Sequence, residues 1–194
     1  MPLEIAQALN SSRLAEIRAQ LAPLLPTTQP ITLEIGSGHG HFLTAYAAAH
    51  PNRFCIGIDL IADRLDRSVR KSNRAKLKNI AWVRAEALLF LEALPADIAL
   101  AEIFVLFSDP WPKRRHWKNR VLQPEFLSLL ASRAGQGARL HFRTDHAPYF
   151  QQATDFINQH PDWSIGAEDP WPFELATVFQ QRAAGHQSLI ARKT

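Results

Sequence analysis

Two stretches of the chain concentrate residue types that could do chemistry. The first is Glu34-Ile35-Gly36-Ser37-Gly38-His39-Gly40. Its glycines let the backbone turn sharply after an apolar run and approach a ligand at the start of a helix. The second is Ser108-Asp109-Pro110-Trp111-Pro112-Lys113-Arg114-Arg115-His116-Trp117-Lys118-Asn119-Arg120. Two prolines fix φ and remove two backbone donors, so this segment reads as a stiff loop that holds Asp109 and Trp111 in a set geometry. An aromatic ring beside a carboxylate can stack on a flat base and accept its N–H donors, and the five Lys and Arg residues in the eight positions after Pro112 suit phosphate contacts.

Such residues need a frame, and the hydrophobic pattern supplies one. Short apolar runs at Ile31 to Ile35, Phe54 to Asp59, Ile80 to Arg84, Ile103 to Phe107 and Arg139 to Arg143 alternate with helical patterns. The helices are expected at about Gly40 to His50, Asp63 to Leu77, Leu88 to Leu94, after Gln123, and at Pro148 to Asn158. This rhythm predicts an α/β fold with a mostly parallel sheet and helices on both faces. Two last strands are expected near Thr177 to Arg182 and Gln187 to Ala191, as an antiparallel hairpin at the sheet edge. Before the first strand, Leu14, Ile17, Leu21 and Leu24 or Leu25 recur at helical spacing until Pro26 and Pro30, so residues 1–30 read as a helical lead-in to one domain spanning 1–194.

On that frame four consecutive strands end near a carboxylate: Glu34, Asp59, Glu86 and Asp109. A carboxylate beside the glycine loop opposes the pyrophosphate of a dinucleotide and favours a ligand bearing a sulfonium and an ammonium. The pattern resembles class I S-adenosylmethionine methyltransferases of Rossmann-like fold, for which a seven-stranded sheet is implied. The rival readings are a methyltransferase acting on an exocyclic amine of DNA or RNA, whose loop Ser108-Asp109-Pro110-Trp111 resembles, a nicotinamide oxidoreductase, and a non-catalytic RNA-binding module. Taken singly, each acid also fits a loop acid or a helix cap.

Four segments carry a narrower resemblance: Leu33 to Gly38, Gly57-Ile58-Asp59, Ser108 to Arg120, and Thr144-Asp145-His146-Ala147-Pro148-Tyr149. They are similar to the bacterial tRNA (guanine-N7-)-methyltransferases. The resemblance implies that Glu34, Gly36, Gly38, Asp59, Glu86 and Asp109 line an S-adenosylmethionine site, with Asp109 also catalytic. It implies that Lys113, Asp145 and Thr177 contact substrate, that Arg115, His116, Lys118 and Arg120 touch RNA, and that the target is a guanine in the tRNA variable loop. The chain departs from the family pattern at Ser108 (usually Pro), at Glu86 (commonly Asp), and at Gln180, where Thr-x-Tyr/Phe-Glu is the rule and Thr177-Val178-Phe179-Gln180 stands here. The tetrapeptide Asp-Pro-Trp-Pro recurs at Asp169 to Pro172, with unrelated flanks, and reads as a coincidence.

Composition sets outer bounds. The balance of 22 Lys and Arg against 18 Asp and Glu gives a formal charge of +4, which permits a polyanionic partner without demanding one. The single cysteine, Cys55, lies in an apolar run and reads as a small buried residue in a reducing, cytoplasmic setting. No stretch is long and uncharged enough to span a bilayer. The histidines His39, His41, His116, His141 and His146 show no ligand spacing, so no metal is expected. A second basic run, Arg64 to Lys78, reads as a solvated helix face. The sequence does not decide between monomer and homodimer.

Overall fold

The strand Ile31–Ile35, β1, is buried at every position, as a central parallel strand covered on both faces must be. Around it a computed structural model describes residues 3–25, 29–166, 170–175 and 185–194. The elements in order are α1 (Leu3–Leu21), β1, α2 (His41–Ala49), β2 (Phe54–Asp59), α3 (Ala62–Arg74), β3 (Ile80–Arg84), α4 (Ala87–Ala93) and β4 (Leu100–Leu106). A 3-10 turn (Arg114–Asn119), α5 (Pro124–Arg133), β5 (Ala134–Thr144), α6 (Ala147–Gln159), β6 (Trp163–Ile165) and β7 (Gln187–Lys193) follow. The seven strands form one sheet in the order β3-β2-β1-β4-β5-β7-β6, parallel from β3 to β5 and antiparallel at β7 and β6. Strand order reverses between β1 and β4, and open sheets of this kind bind ligands at such a switch point, beyond the carboxyl ends of the strands.

Period-two alternation divides each strand between two cores. Leu33, Ile35, Ile103, Val105, Leu140 and Phe142 face the larger core, which α1, α4, α5 and α6 cover with Ile17, Leu21, Phe90, Leu127, Tyr149 and Ile157. The other face holds a smaller cluster of Phe42, Leu43, Tyr46 and Ala47 from α2 with Cys55 and Phe104, and Phe173 and Leu175 pack against it. Segment 170–175 therefore does part of a helix's covering work there. Helix starts follow from local chemistry: Pro124 and Pro148 sit in first turns where no donor is lost, Glu86 caps α4, and His146 caps α6 through Nδ1.

The predicted parallel strands and helices are all present, with ends shifted by a few residues, as fraying ends allow. Two features differ. The loop after β4 is not irregular throughout, because Arg114–Asn119 closes into a 3-10 turn once the prolines are passed. The edge pair also differs: β7 pairs with β5 and with Trp163–Ile165, a three-residue strand too short to show alternation in the sequence. The stretch expected to pair with it, Thr177 to Arg182, lies outside the described residues.

Candidate functional site

Adjacent strand ends place the predicted acids in a row. Glu34 precedes the last residue of β1, Asp59 ends β2, Glu86 follows β3, and Asp109 leaves the end of β4. With strands about 4.8 Å apart, four such ends span roughly 14 Å, the scale of a nucleoside with an extended side chain. Asp145 follows β5, and because the Phe107 amide donates to the Arg143 carbonyl at 2.8 Å, the Asp109 and Asp145 loops depart side by side.

The glycine loop is held from β2. The Gly38 amide donates to Asp59 Oδ2 and the Ile61 amide to Oδ1, both at 2.9 Å, while Arg64 stands 3.7 Å from Oδ2. Gly36 and Gly38 have φ of 73° and 56°, values that favour glycine, with open space where a Cβ would stand. Gly40 is required for packing as well: a Cβ there would meet the Trp82 ring at 2.6 Å.

Glu34 is 4% exposed, and its Oε2 has no hydrogen-bond partner among the described residues; neither does the buried Ser37 Oγ. Burial pushes the Glu34 carboxyl up to about 8, with the Leu43 amide opposing and Asp59 adding to the rise. A buried carboxyl with one oxygen unpaired suits a cationic ligand whose charge would restore its ionised form. The donor set therefore fits S-adenosylmethionine in the middle of the row, at Asp59 and Glu34. Glu86 is exposed, and its carboxylate accepts from the Leu89 amide at 3.2 Å as a helix cap. That is the structural role any one of the acids could have had.

Asp109 is exposed, and its Oδ1 accepts from the Trp111 amide at 3.0 Å, while Oδ2 has no hydrogen bond among the described residues. Two non-glycine residues in the left-handed region bracket it, Phe107 with φ 50° and Trp111 with φ 44°. Each costs about 1–2 kcal/mol, strain of the kind that persists where surrounding contacts over-determine a loop. The Trp111 ring meets His116 edge-on at 5.8 Å. Beyond it Lys113, Arg114, Arg115 and Lys118 are exposed, and among the described residues no carboxylate pairs with them.

Arg120 corrects the expected set of RNA contacts. It is 2% exposed, its Nε donates to the Pro110 carbonyl at 2.7 Å, and its Nη1 donates to Gln152 Oε1 at 2.6 Å. The guanidinium lies over the rings of Trp117 at 4.3 Å and Tyr149 at 5.0 Å. A phosphate cannot reach it without opening this packing. Arg115, His116 and Lys118 remain at or near the surface, whereas Thr177 and Gln180 lie outside the described residues.

Sequence reasoning also passed over Arg143. It donates to both carboxylate oxygens of Glu174, at 3.1 and 2.9 Å, and its guanidinium lies 3.9 Å from the Trp171 ring. The second Pro-Trp-Pro is thus a strap clamped to the end of β5. The available signal was an arginine among apolar residues of a buried strand, Leu140-His141-Phe142-Arg143, which demands a partner.

At the opposite edge of the sheet a cavity of about 510 Å³ is lined by Arg53, Glu102 and Arg139 among others. Glu102 is engaged by Arg53 at 3.1 Å, by Arg139, and by His141 at 2.6 Å. That cluster ties strands together and stands apart from the acid row.

A family model described as "Putative methyltransferase" matches residues 28–189. A tRNA (guanine-N(7)-)-methyltransferase of Magnetococcus marinus is 35% identical over 208 residues, covering 94% of this chain and 81% of the relative. One from Streptomyces coelicolor is 38% identical over 143 residues, covering 74% of this chain and 53% of the relative. Against the Streptomyces relatives, the chain spans about half their length. Among solved structures the aminoglycoside resistance methyltransferase NpmB1 superposes with a TM-score of 0.60 at 20% identity, covering 91% of this chain and 93% of that one, a likeness of fold. With the family model over most of its length and a relative matched across four-fifths of its own, the chain belongs to the tRNA (guanine-N(7)-)-methyltransferase family.

Proposed function

We propose that the protein transfers a methyl group from S-adenosylmethionine to N7 of a guanine in the variable loop of tRNA. One observation carries the reading: a turn of exposed cations, Lys113 to Lys118, hangs from the strained loop that presents Asp109 at the end of the acid row. Base, backbone and cofactor contacts then fall on neighbouring residues. The names of the relatives support the choice of guanine N7, and the family resemblance supports the variable loop.

Glu34 and Ser37 would hold the cationic amino-acid end of S-adenosylmethionine, Asp59 the ribose, and the Gly36 to Gly38 backbone would approach it closely. S-adenosylmethionine supplies an electrophilic methyl group. Guanine N7 carries an in-plane lone pair and no proton, so no base is needed before attack, and the chain's task is orientation and charge. Asp109 Oδ2 accepts from the purine edge and favours the positive charge that develops on the ring. Trp111 offers a stacking face, and Asp145, from the adjacent strand end, closes the pocket with Lys113. Thr177 is assigned to the remaining wall on its family position alone. Arg115, His116 and Lys118 are assigned to RNA phosphates.

Incubation with methyl-labelled S-adenosylmethionine and an unmodified tRNA transcript, followed by strand scission at N7-methylguanosine, tests the assignment. Label at a variable-loop guanine that directs scission is the expected result. Label on an exocyclic amine, which leaves the chain uncut, rejects it.

A further inference from the structure

Arg120, removed from the RNA-facing set by its burial, has another connection. The carbonyl it binds, Pro110 O, belongs to the same peptide unit as the Trp111 N–H. That N–H donates to Asp109 Oδ1 at 3.0 Å. A trans peptide unit is planar, with C=O and N–H pointing in opposite directions, so turning it about its axis breaks both bonds together. The unit thus has Arg120 Nε on one side, at 2.7 Å, and the Asp109 carboxylate on the other. Pro110 lacks an N–H and Trp111 sits at φ 44°, so the local backbone gives this plane little support of its own.

The guanidinium is itself fixed. It lies over the rings of Trp117 and Tyr149, and Nη1 donates to Gln152 at 2.6 Å. Tyr149 and Gln152 lie on α6, and fully buried Tyr149 packs edge-on against Phe142 of β5 at 5.0 Å. A continuous tie runs from the sheet core through Tyr149, Arg120 and one peptide plane to Asp109. We propose that Arg120 is a positioning residue that sets the direction of the Asp109 carboxylate, and so the orientation in which the base is presented for methyl transfer. This rests on the function proposed above. Lysine cannot substitute, since a single ammonium does not offer two nitrogens spaced for Pro110 and Gln152.

The test compares Arg120→Lys and Gln152→Leu with the unaltered protein. The positioning role predicts that Arg120→Lys lowers kcat on the order of 10- to 100-fold. The KM for tRNA and the salt dependence of tRNA binding stay unchanged, and Gln152→Leu gives a smaller fall in kcat of the same kind. With 5-fluorotryptophan incorporated, the Trp111 fluorine resonance, assigned by Trp111→Phe, should shift in both variants while that of Trp163 in the far core stays put. Should Arg120→Lys fail to fold, judged by its thermal melt, Gln152→Leu carries the test alone. An unchanged kcat with an unmoved Trp111 resonance overturns the proposal. So does a loss confined to tRNA affinity with a shallower salt slope, which would return Arg120 to the phosphate contacts. If the unaltered protein methylates no tRNA, the proposed function fails, while the Trp111 resonance still tests the tie.

Discussion

Asp109 is exposed and has only one oxygen committed, to the Trp111 amide, so charge and geometry at this residue can be separated. Asp109→Asn can retain an acceptor for that amide while removing the negative charge. If charge on the ring is what Asp109 favours, kcat on tRNA should fall by about 10²–10³ with the loop intact, and single-turnover methyl transfer would measure it. Glu34 gives a different signature. Its carboxyl is raised to about 8 by burial, so in the ligand-free protein at pH 7 it is mostly protonated. A bound cation favours the carboxylate, so binding of S-adenosylmethionine should release up to about one proton, and affinity should rise with pH toward 8. Calorimetry in two buffers of different ionisation enthalpy reads the proton directly. Glu34→Gln should abolish the buffer dependence, and a wild-type protein without it would contradict the assignment.

The 3-10 turn presents its cations as a group because the prolines before it prevent an earlier helix and the Trp117 ring beneath it anchors the turn under Arg114 and Arg120. Lys113, Arg115 and Lys118 should therefore act additively on RNA and leave the cofactor alone. Replacing all three with Ala is expected to weaken tRNA binding and reduce the slope of log K against log salt by about 2–3, with S-adenosylmethionine affinity unchanged. A filter-binding series from low to moderate salt distinguishes this from a folding defect, which would alter both ligands. The strap 170–175 is the other element with a role. Phe173 packs against Phe42, Tyr46 and His50 with ring centroids 5.7 to 6.0 Å apart, and Arg143 grips Glu174, fixing this stretch only three residues before Thr177.

Two buried carboxylates on the same face of the sheet pull the stability of the whole molecule in opposite directions with pH. Burial raises the pKa of Glu102, but hydrogen bonds from His141 and Arg139 more than reverse this and hold it down to about 2. The folded state then binds fewer protons than the unfolded one between about 4.5 and 2, so this stabilisation is present above that window and lost as pH falls through it. Glu34 runs the other way: between 4.5 and about 8 the ligand-free folded state holds the extra proton, and stability falls as pH rises. Thermal melts across pH should show both limbs. Glu34→Gln is expected to flatten the upper one. Glu102→Gln should flatten the acid limb and cost about 2–3 kcal/mol near neutrality, discounted because Arg53 and Arg139 are partly solvated. Saturating S-adenosylmethionine should reduce the Glu34 limb in the unaltered protein.

Much of this was legible in the chain itself. Alternating apolar runs fix a parallel sheet because burial on both faces leaves no choice of pattern, and glycines after β1 mark a backbone that needs positive φ. The Asp-Pro-Trp-Pro segment marks a rigid loop because proline acts on its own backbone. These are local constraints, and they survive in sequence. Which cations face water is not local. Arg115 and Arg120 are the same residue type within one basic run, yet one is exposed and the other is enclosed by Tyr149 and Gln152, about thirty residues away. The same holds for the second Pro-Trp-Pro, which gains its role from Arg143 on β5, and for Glu34, whose raised pKa comes from burial and from Asp59 on the neighbouring strand. Sequence determined the frame and the chemistry available at its edge. Tertiary packing decided which of those groups stay free for a ligand and which are spent holding the others in place.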